Sequence, residues 1–259
     1  MGRALIAGLL RSGTRTEQLR VGERLAAART VLASELGVTA SADNAAAIEG
    51  ATAVVLAVRP QEAAAVLRAL EGRWGTPAPL LISVVAGVRI AQLEGWCGLE
   101  VVRAMPNRPA LLGAAATGLY APPGLAGAHR ALAEQVLGSV GAVVWVASEE
   151  TLDVVTALSG SGPAYFFLLA ECMARAAERL GLEASAARML AAATLHGAGL
   201  LAHSGDADLA RLRSEVASPG GTTEAALRVL EAGDLRALVN RALEAAAQRA
   251  RELAAVQQD

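Results

Sequence analysis

Residues 53–60 read Ala-Val-Val-Leu-Ala-Val-Arg-Pro. The continuous apolar run Ala53 to Ala57, with no polar alternation, describes a strand covered on both faces, and Val58-Arg59-Pro60 ends it. Strands of this kind belong to parallel sheets flanked by helices. The pattern returns at Leu80-Leu81-Ile82-Ser83-Val84 and at Val101-Val102-Arg103-Ala104, with helical spacing from Pro60 to about Leu70 and from about Arg89 to Glu94. Upstream lie a helix over 3–12, a short strand at Leu19-Arg20-Val21, an alanine-rich helix from Glu23 to Leu36 closed by Gly37, a strand at Val38-Thr39 and a brief helix capped by Asp43. Downstream, extended pieces near 117–121 and 142–146 flank a helix over about 125–137. The order is that of an α/β fold with a parallel sheet.

After Ser148 the strand signal stops. Residues 149–158, 163–180, 184–203, 206–215, 222–231 and 234–253 all read as helices separated by glycine or Ser-Pro-Gly punctuation. In 163–180 the charges Glu171, Arg175, Glu178 and Arg179 form one narrow stripe, which predicts a helix buried nearly all round. The boundary is therefore set near Ala147: an α/β domain over 1–147 and an all-helical domain over 148–259.

Composition points to association. The 259 residues are 54% hydrophobic but only 3% aromatic, and 19% are charged, against about 25% in an average globular domain. Alanine supplies the excess, so close helix packing and a homo-oligomer are expected. A net charge of −2 with no basic block disfavours nucleic acid as a partner. The mean hydropathy of +0.40 raises the membrane question. The longest uncharged run, after Arg108, is broken by Pro122-Pro123 and by Gly113, Gly118, Gly124 and Gly127, so no apolar helix long enough to span a membrane is expected, and the N-terminus carries no evident cleavage site. No membrane partner is expected, and the location is read as cytoplasmic. Cys97 and Cys172 stand apart as packing residues, and His129, His196 and His203 form no ligand cluster, so no metal site is expected.

The segments suited to chemistry lie at strand ends and helix starts. Ala57-Val58-Arg59-Pro60, Ser83-Val84-Val85-Ala86-Gly87 and Arg103-Ala104-Met105-Pro106-Asn107 each follow a predicted parallel strand, where the crevice beyond the carboxyl ends takes ligands in open α/β sheets. Leu158-Ser159-Gly160-Ser161-Gly162-Pro163-Ala164-Tyr165 and Val216-Ala217-Ser218-Pro219-Gly220-Gly221-Thr222-Thr223 place small and hydroxyl residues before a helix. Free helix-start amides make each a candidate anion site, with helix capping as the plainer reading.

Together these residues resemble the pyrroline-5-carboxylate reductase family. The likeness runs in order through Asn44, A-V-R-P-Q at 57–61, S-V-V-A-G-V at 83–88, R-A-M-P-N at 103–107, A-L-S-G-S-G-P-A-Y at 157–165 and S-P-G-G-T-T at 218–223. The resemblance implies a Rossmann-like domain for NADPH or NADH and a helical dimerisation domain. It implies hydride transfer to the C=N carbon of 1-pyrroline-5-carboxylate, giving L-proline. By the same resemblance Gly2, Asn44, Ala57, Val58, Arg59, Pro60, Val84, Val85 and Ala86 are cofactor-binding. Ser218, Gly221, Thr222 and Thr223 bind the substrate carboxylate, and the Thr223 hydroxyl is the catalytic group near the imine nitrogen. The chemistry agrees, because a protonated cyclic imine and a reduced cofactor need orientation rather than a nucleophile or metal.

The chain departs from the family at Arg59, where Lys is usual, at Arg108, where Thr is common, and at Ala217, also usually Thr. At the end of the second strand, Glu23 suits a ribose hydroxyl as in NAD sites, while Arg24 suits the 2′-phosphate of NADP. The reading leans to NADPH. Family members open with a strand and a glycine-rich turn, of which Met1-Gly2 match the last two positions. The first strand is thus expected to be missing from the sheet, with a mis-assigned start as the preferred explanation. The alternatives are a related reductase acting on another imine or a keto acid, and a non-catalytic dimeric scaffold.

Overall fold

The computed structural model describes residues 1–205 and 208–256. Strands and helices alternate in the first part of the chain, and among the described residues helices alone follow Trp145. Two compact units form: Met1–Ser161 together with the last stretch of chain from Ala246, and Gly162–Ala245. The change from strands to helices, which set the boundary at 147/148, comes earlier in the chain than this division.

In the first unit α1 (Gly2–Arg11), α2 (Ala26–Leu36) and α3 (Asn44–Ile48) surround two short strands, β1 (Arg20–Gly22) and β2 (Thr39–Ser41), which pair in parallel. Gly37 ends α2 in the left-handed conformation at φ 67°. The larger sheet has the order β3 (Ala53–Leu56), β4 (Leu80–Ser83), β5 (Val101–Met105), β6 (Ala115–Tyr120), β7 (Gly141–Trp145). Between its strands lie α4 (Pro60–Arg68), α5 (Ile90–Cys97) and α6 (Gly127–Gly138). β3, β4 and β5 are parallel, as expected of their continuous apolar runs. β6 is not: it runs antiparallel to β5 and parallel to β7. A tight connection through Arg108–Leu112, begun by Pro109 and closed by Gly113 at φ 74°, turns the chain straight back, so the sheet is mixed rather than wholly parallel.

β1 and β3 are not bonded to each other, and no described strand lies between them. A cavity of about 1210 Å³ opens there, lined by Leu19–Glu23 on one side and Thr52–Val58 on the other, with α1 along it. The expected gap in the sheet is therefore a physical feature. Elsewhere the sheet is sealed. Leu80, Ile82, Val102 and Leu119 build one face with Leu5, Leu9 and Leu137, while Leu81, Val101, Leu67 and Leu93 build the other.

The chain then forms α7 (Thr151–Val155), a π-helical turn (Thr156–Gly160) and α8 (Gly162–Arg179). The glycine-rich sequence at 158–165 reads as a loop, yet helical geometry runs from Thr151 to Arg179, with Ser161 N–H donating to the Thr156 carbonyl at 2.9 Å. This corrects the expectation that no helix is long and apolar enough to cross a membrane: the 29 residues of Thr151–Arg179 are. The glycines had divided it in the sequence. Gly118 of β6 gives α7 its seat, since a Cβ there would meet both Val155 methyls at 2.8 Å.

In the second unit α8 pairs with α9 (Ala184–His203), followed by α10 (Leu209–Val216), α11 (Thr222–Ala232) and the first part of α12 (Leu235–Val256), whose residues from Ala246 on belong to the first unit. The helix expected from 206 begins outside the described residues. α8 is not buried all round: Phe166, Phe167, Leu168 and Met173 are exposed, as is Cys172, while Cys97 is buried.

Candidate active site

The cofactor side is built at the carboxyl ends of the first unit's strands. α1 starts without a side-chain cap: Ala4 and Leu5 amides turn to the Met1 carbonyl at 2.9 and 3.2 Å, which leaves those of Gly2 and Arg3 without an acceptor among the described residues. Gly2 stands against the end of β3, where a Cβ would touch that of Ala57 at 3.6 Å. At the end of β1 the bare backbone of Gly22 is required. A side chain there would strike the Asn44 amide, which lies across it, and Asp43 caps α3 beneath by accepting from Ala45 N–H at 2.9 Å. Gly2, Asn44, Ala57 and Val58 thus line one space, the cavity beside β1 and β3.

The turn after β1 bears on cofactor choice. Glu23 Oε1 accepts from Leu25 N–H at 2.8 Å, which turns the carboxylate towards the start of α2. Arg24 pairs with Glu62 at 3.0 Å, an exposed bridge of the kind that gives way readily to a stronger anion. Arg29 donates to the Glu23 and Arg24 carbonyls, each at 2.8 Å, and so places a second guanidinium at this turn. Sequence reading missed Arg29 because it sits inside α2 with helical spacing. The turn suits a phosphate better than a bare ribose.

Pro60, Val85 and Ala86 line a second cavity of about 220 Å³ with Arg103, Met105, Asp153 and Thr156. Val84 N–H bonds the Leu56 carbonyl at 3.1 Å, and Val85 N–H bonds Ser83 Oγ at 3.3 Å, which fixes the turn beyond β4. Arg59 is the exposed N-cap of α4, and neither it nor Arg24 or Val84 lines either cavity. The residues fit a dinucleotide: an uncapped helix start, bare backbone at the end of β1, two guanidinium groups beside it, and apolar turns after β3 and β4.

In the wall of the second cavity lies a charge cluster that no local sequence pattern marks. Arg103 Nη1 donates to Glu149 Oε1 at 2.6 Å, and the same oxygen accepts from Ile90 N–H at 2.8 Å. Arg89 Nη2 reaches Asp153 Oδ2 at 2.8 Å. Burial draws the Arg103 guanidinium below its ordinary pKa, and the Glu149 carboxylate acts against that shift. Asn107, part of a strand-end segment read as ligand-facing, is instead a cross-link. Its amide donates to the Ser159 carbonyl at 2.9 Å and accepts from Ala116 N–H at 3.0 Å.

In the second unit Ser218-Pro219-Gly220-Gly221 forms a tight turn into α11. Gly220 has φ 72° and Gly221 N–H donates to the Ser218 carbonyl at 3.0 Å, the geometry that Pro-Gly favours. The Gly221 amide is therefore engaged within the turn. Those of Thr222 and Thr223 meet no acceptor among the described residues. Glu224, which sequence reading passed over, accepts from Gly220 N–H at 2.5 Å and holds Arg228 at 3.4 Å. The other candidate anion segment, 158–165, offers no helix start, because helix precedes it.

Comparison with known proteins gives these features a family. Residues 149–253 match the model for pyrroline-5-carboxylate reductase dimerisation, and residues 1–87 that for NADP oxidoreductase, coenzyme F420-dependent. The dimerisation match supports homo-oligomer formation, in accord with the exposed apolar helices. A pyrroline-5-carboxylate reductase of Pseudomonas aeruginosa is 44% identical over 98% of this chain and 93% of its own. The solved structure of a pyrroline-5-carboxylate reductase from Coxiella burnetii superposes with a TM-score of 0.94 at 39% identity, covering 97% of this chain and 94% of that one. A Plasmodium falciparum pyrroline carboxylate reductase with NADP bound gives 0.81 at 25% identity, covering 98% and 94%. On identity, coverage and fold alike, the chain belongs to the pyrroline-5-carboxylate reductase family.

Proposed function

We propose that the chain reduces 1-pyrroline-5-carboxylate to L-proline with NADPH as the preferred reductant, NADH being the alternative. The observation that carries the substrate side is the pair of free amides, Thr222 and Thr223, at the start of α11 after the Ser218–Gly221 turn. Two N–H groups at the positive end of a helix match a carboxylate. When bound, NADPH supplies the hydride that reaches the imine carbon. Gly2, Asn44, Ala57, Val58, Arg59, Pro60, Val84, Val85 and Ala86 hold and align that cofactor, and Arg24 with Arg29 binds its 2′-phosphate. The Thr223 hydroxyl hydrogen-bonds at the imine nitrogen and keeps the C=N bond in register. Nitrogen carries a proton, carbon gains hydride, and a secondary amine results.

Residues 1–147 serve as the dinucleotide-binding domain and 148–259 as the dimerisation and substrate domain. We place the enzyme in the cytoplasm as a homodimer or an assembly of dimers, with neither nucleic acid nor membrane as a partner. The test is the loss of NADPH absorbance on adding 1-pyrroline-5-carboxylate, with proline measured in the same vessel. Proline formed in step with NADPH consumed supports the reading. NADPH binding with no imine-dependent oxidation contradicts it and returns the scaffold reading.

A further inference from the structure

Arg89, Arg103, Glu149 and Asp153 take no part in the roles assigned above. Arg103 and Asp153 are only 5% and 3% exposed. Buried ion pairs generally contribute less stability than apolar side chains of the same volume. Arg103 and Asp153 are buried in this wall and their partners Glu149 and Arg89 are partly buried, so the wall holds charge where apolar side chains would serve stability as well. Arg103 is two residues before Met105 on β5, Arg89 and Ile90 head α5 directly after the 84–88 turn, and Glu149 and Asp153 flank the start of α7. Arg89 also donates to the Glu149 carbonyl at 3.4 Å, so the two pairs are joined. Arg103 and Asp153 themselves line the 220 Å³ cavity together with Val85, Ala86, Met105 and Thr156.

If Arg24 and Arg29 hold the 2′-phosphate at the turn after β1, a dinucleotide laid along the strand ends β3, β4, β5 would bring its reactive ring towards the ends of β4 and β5. That is where this cavity lies. We propose that the Arg89–Asp153 and Arg103–Glu149 pairs form an ionic latch that fixes the cavity walls, and so positions the reduced nicotinamide ring for transfer. The proposal rests on the reductase reading. The four residues touch neither reacting atom and are positioning residues.

An apolar replacement separates positioning from stability. In the double variant Arg103→Met/Glu149→Met no buried charge of that pair is left alone, though Ile90 N–H loses its acceptor, so the variant is expected to fold with a modestly lowered melting temperature. The turnover number is expected to fall about tenfold or more, with KM for the imine changed less than about threefold, as a misplaced ring demands. A larger deuterium isotope effect with NADPH labelled on the transferred hydrogen should accompany it. Turnover and isotope effect equal to the parent's in the folded double variant overturn the latch. Should that variant not fold, Glu149→Gln carries the same two readouts and the same criteria. Emission from bound NADPH, which reports the surroundings of the reduced ring, is read on the same samples. It is expected to change in the variants while the Kd for NADPH holds within about threefold, and unchanged emission also overturns the latch. A parent that binds NADPH but never reduces the imine counts against the reductase reading instead, and the emission test still decides the latch.

Discussion

Strand β4 and helix α8 are both strongly apolar and meet opposite fates. Leu80, Leu81 and Ile82 of β4 have no solvent exposure, whereas Phe166, Phe167 and Leu168 of α8 are about 60% exposed. The sheet strand finds its cover within its own unit, on both faces. The helix has the same appetite for burial and finds no cover among the described residues. Apolar content thus says how much surface a segment must hide, and topology says whether one chain can hide it. Burying a phenylalanine is worth about 1.5–3 kcal/mol, so several together are a sizeable drive to associate. The dimerisation match over 149–253 gives that drive its partner, a second copy.

The sharpest way to break this contrast is to charge the exposed helix. Phe166→Asp/Phe167→Asp is expected to abolish association, leaving a species near the chain mass of 26.3 kDa by light scattering. An assembled species of unchanged mass would place the interface elsewhere. The same two changes at Leu81 and Ile82 should prevent folding altogether.

The substrate segment tests whether the second unit does more than associate. Thr223→Ala is expected to lower the turnover number about tenfold or more, the size of one lost orienting hydrogen bond, with assembly intact. Kinetics equal to the parent's would remove Thr223 from the catalytic role. On the first unit, Arg24→Ala should raise KM for NADPH about tenfold and leave that for NADH nearly unchanged, as loss of a charge-assisted contact to the 2′-phosphate requires. Equal effects on both cofactors would return the ribose reading with Glu23.

The smallest effect concerns a cap. Glu183 at the start of α9 accepts from the Ser185 and Ala186 amides at 2.9 and 3.0 Å, and the Ser185 hydroxyl and these amides lower its pKa from 4.5 to about 2. A carboxyl depressed on folding adds stability above its unfolded pKa, and that stability disappears as the pH falls through the folded one. Thermal melts of the parent and Glu183→Gln should therefore differ near neutral pH and converge between about 4.5 and about 2. A difference that persists at the acid end would assign the effect to packing.

Much of this was legible in the sequence for a physical reason. Continuous apolar runs at 53–57 and 80–82 have one stable use, a strand covered on both faces, and they became β3 and β4. The Ser-Pro-Gly-Gly-Thr-Thr turn was equally plain, because Pro-Gly fixes the dihedrals that open α11. The failures have two causes: local geometry that residue types leave open, and partners distant in sequence. Gly160 and Gly162 suggest a break until the packing of Thr156–Gly160 shows a π-turn, with Met105 3.1 Å from where a Gly160 side chain would begin. The antiparallel course of β6 depends on how tightly 108–113 reverses. The charge cluster joins residues about 46 and 64 positions apart, which no local pattern exposes. The exposed face of α8 looked buried because its stripe of charge is narrow, and the sequence carries no mark of which molecule supplies the cover.

The account centres on hydride passing from the reduced cofactor to the imine carbon. It is tested most directly with NADPH carrying deuterium at the transferred position, incubated with this protein and 1-pyrroline-5-carboxylate, followed by mass spectrometry of the proline formed. The account predicts proline bearing one deuterium, on the ring carbon that was doubly bonded to nitrogen. Unlabelled proline, or label left entirely in the cofactor, would contradict it.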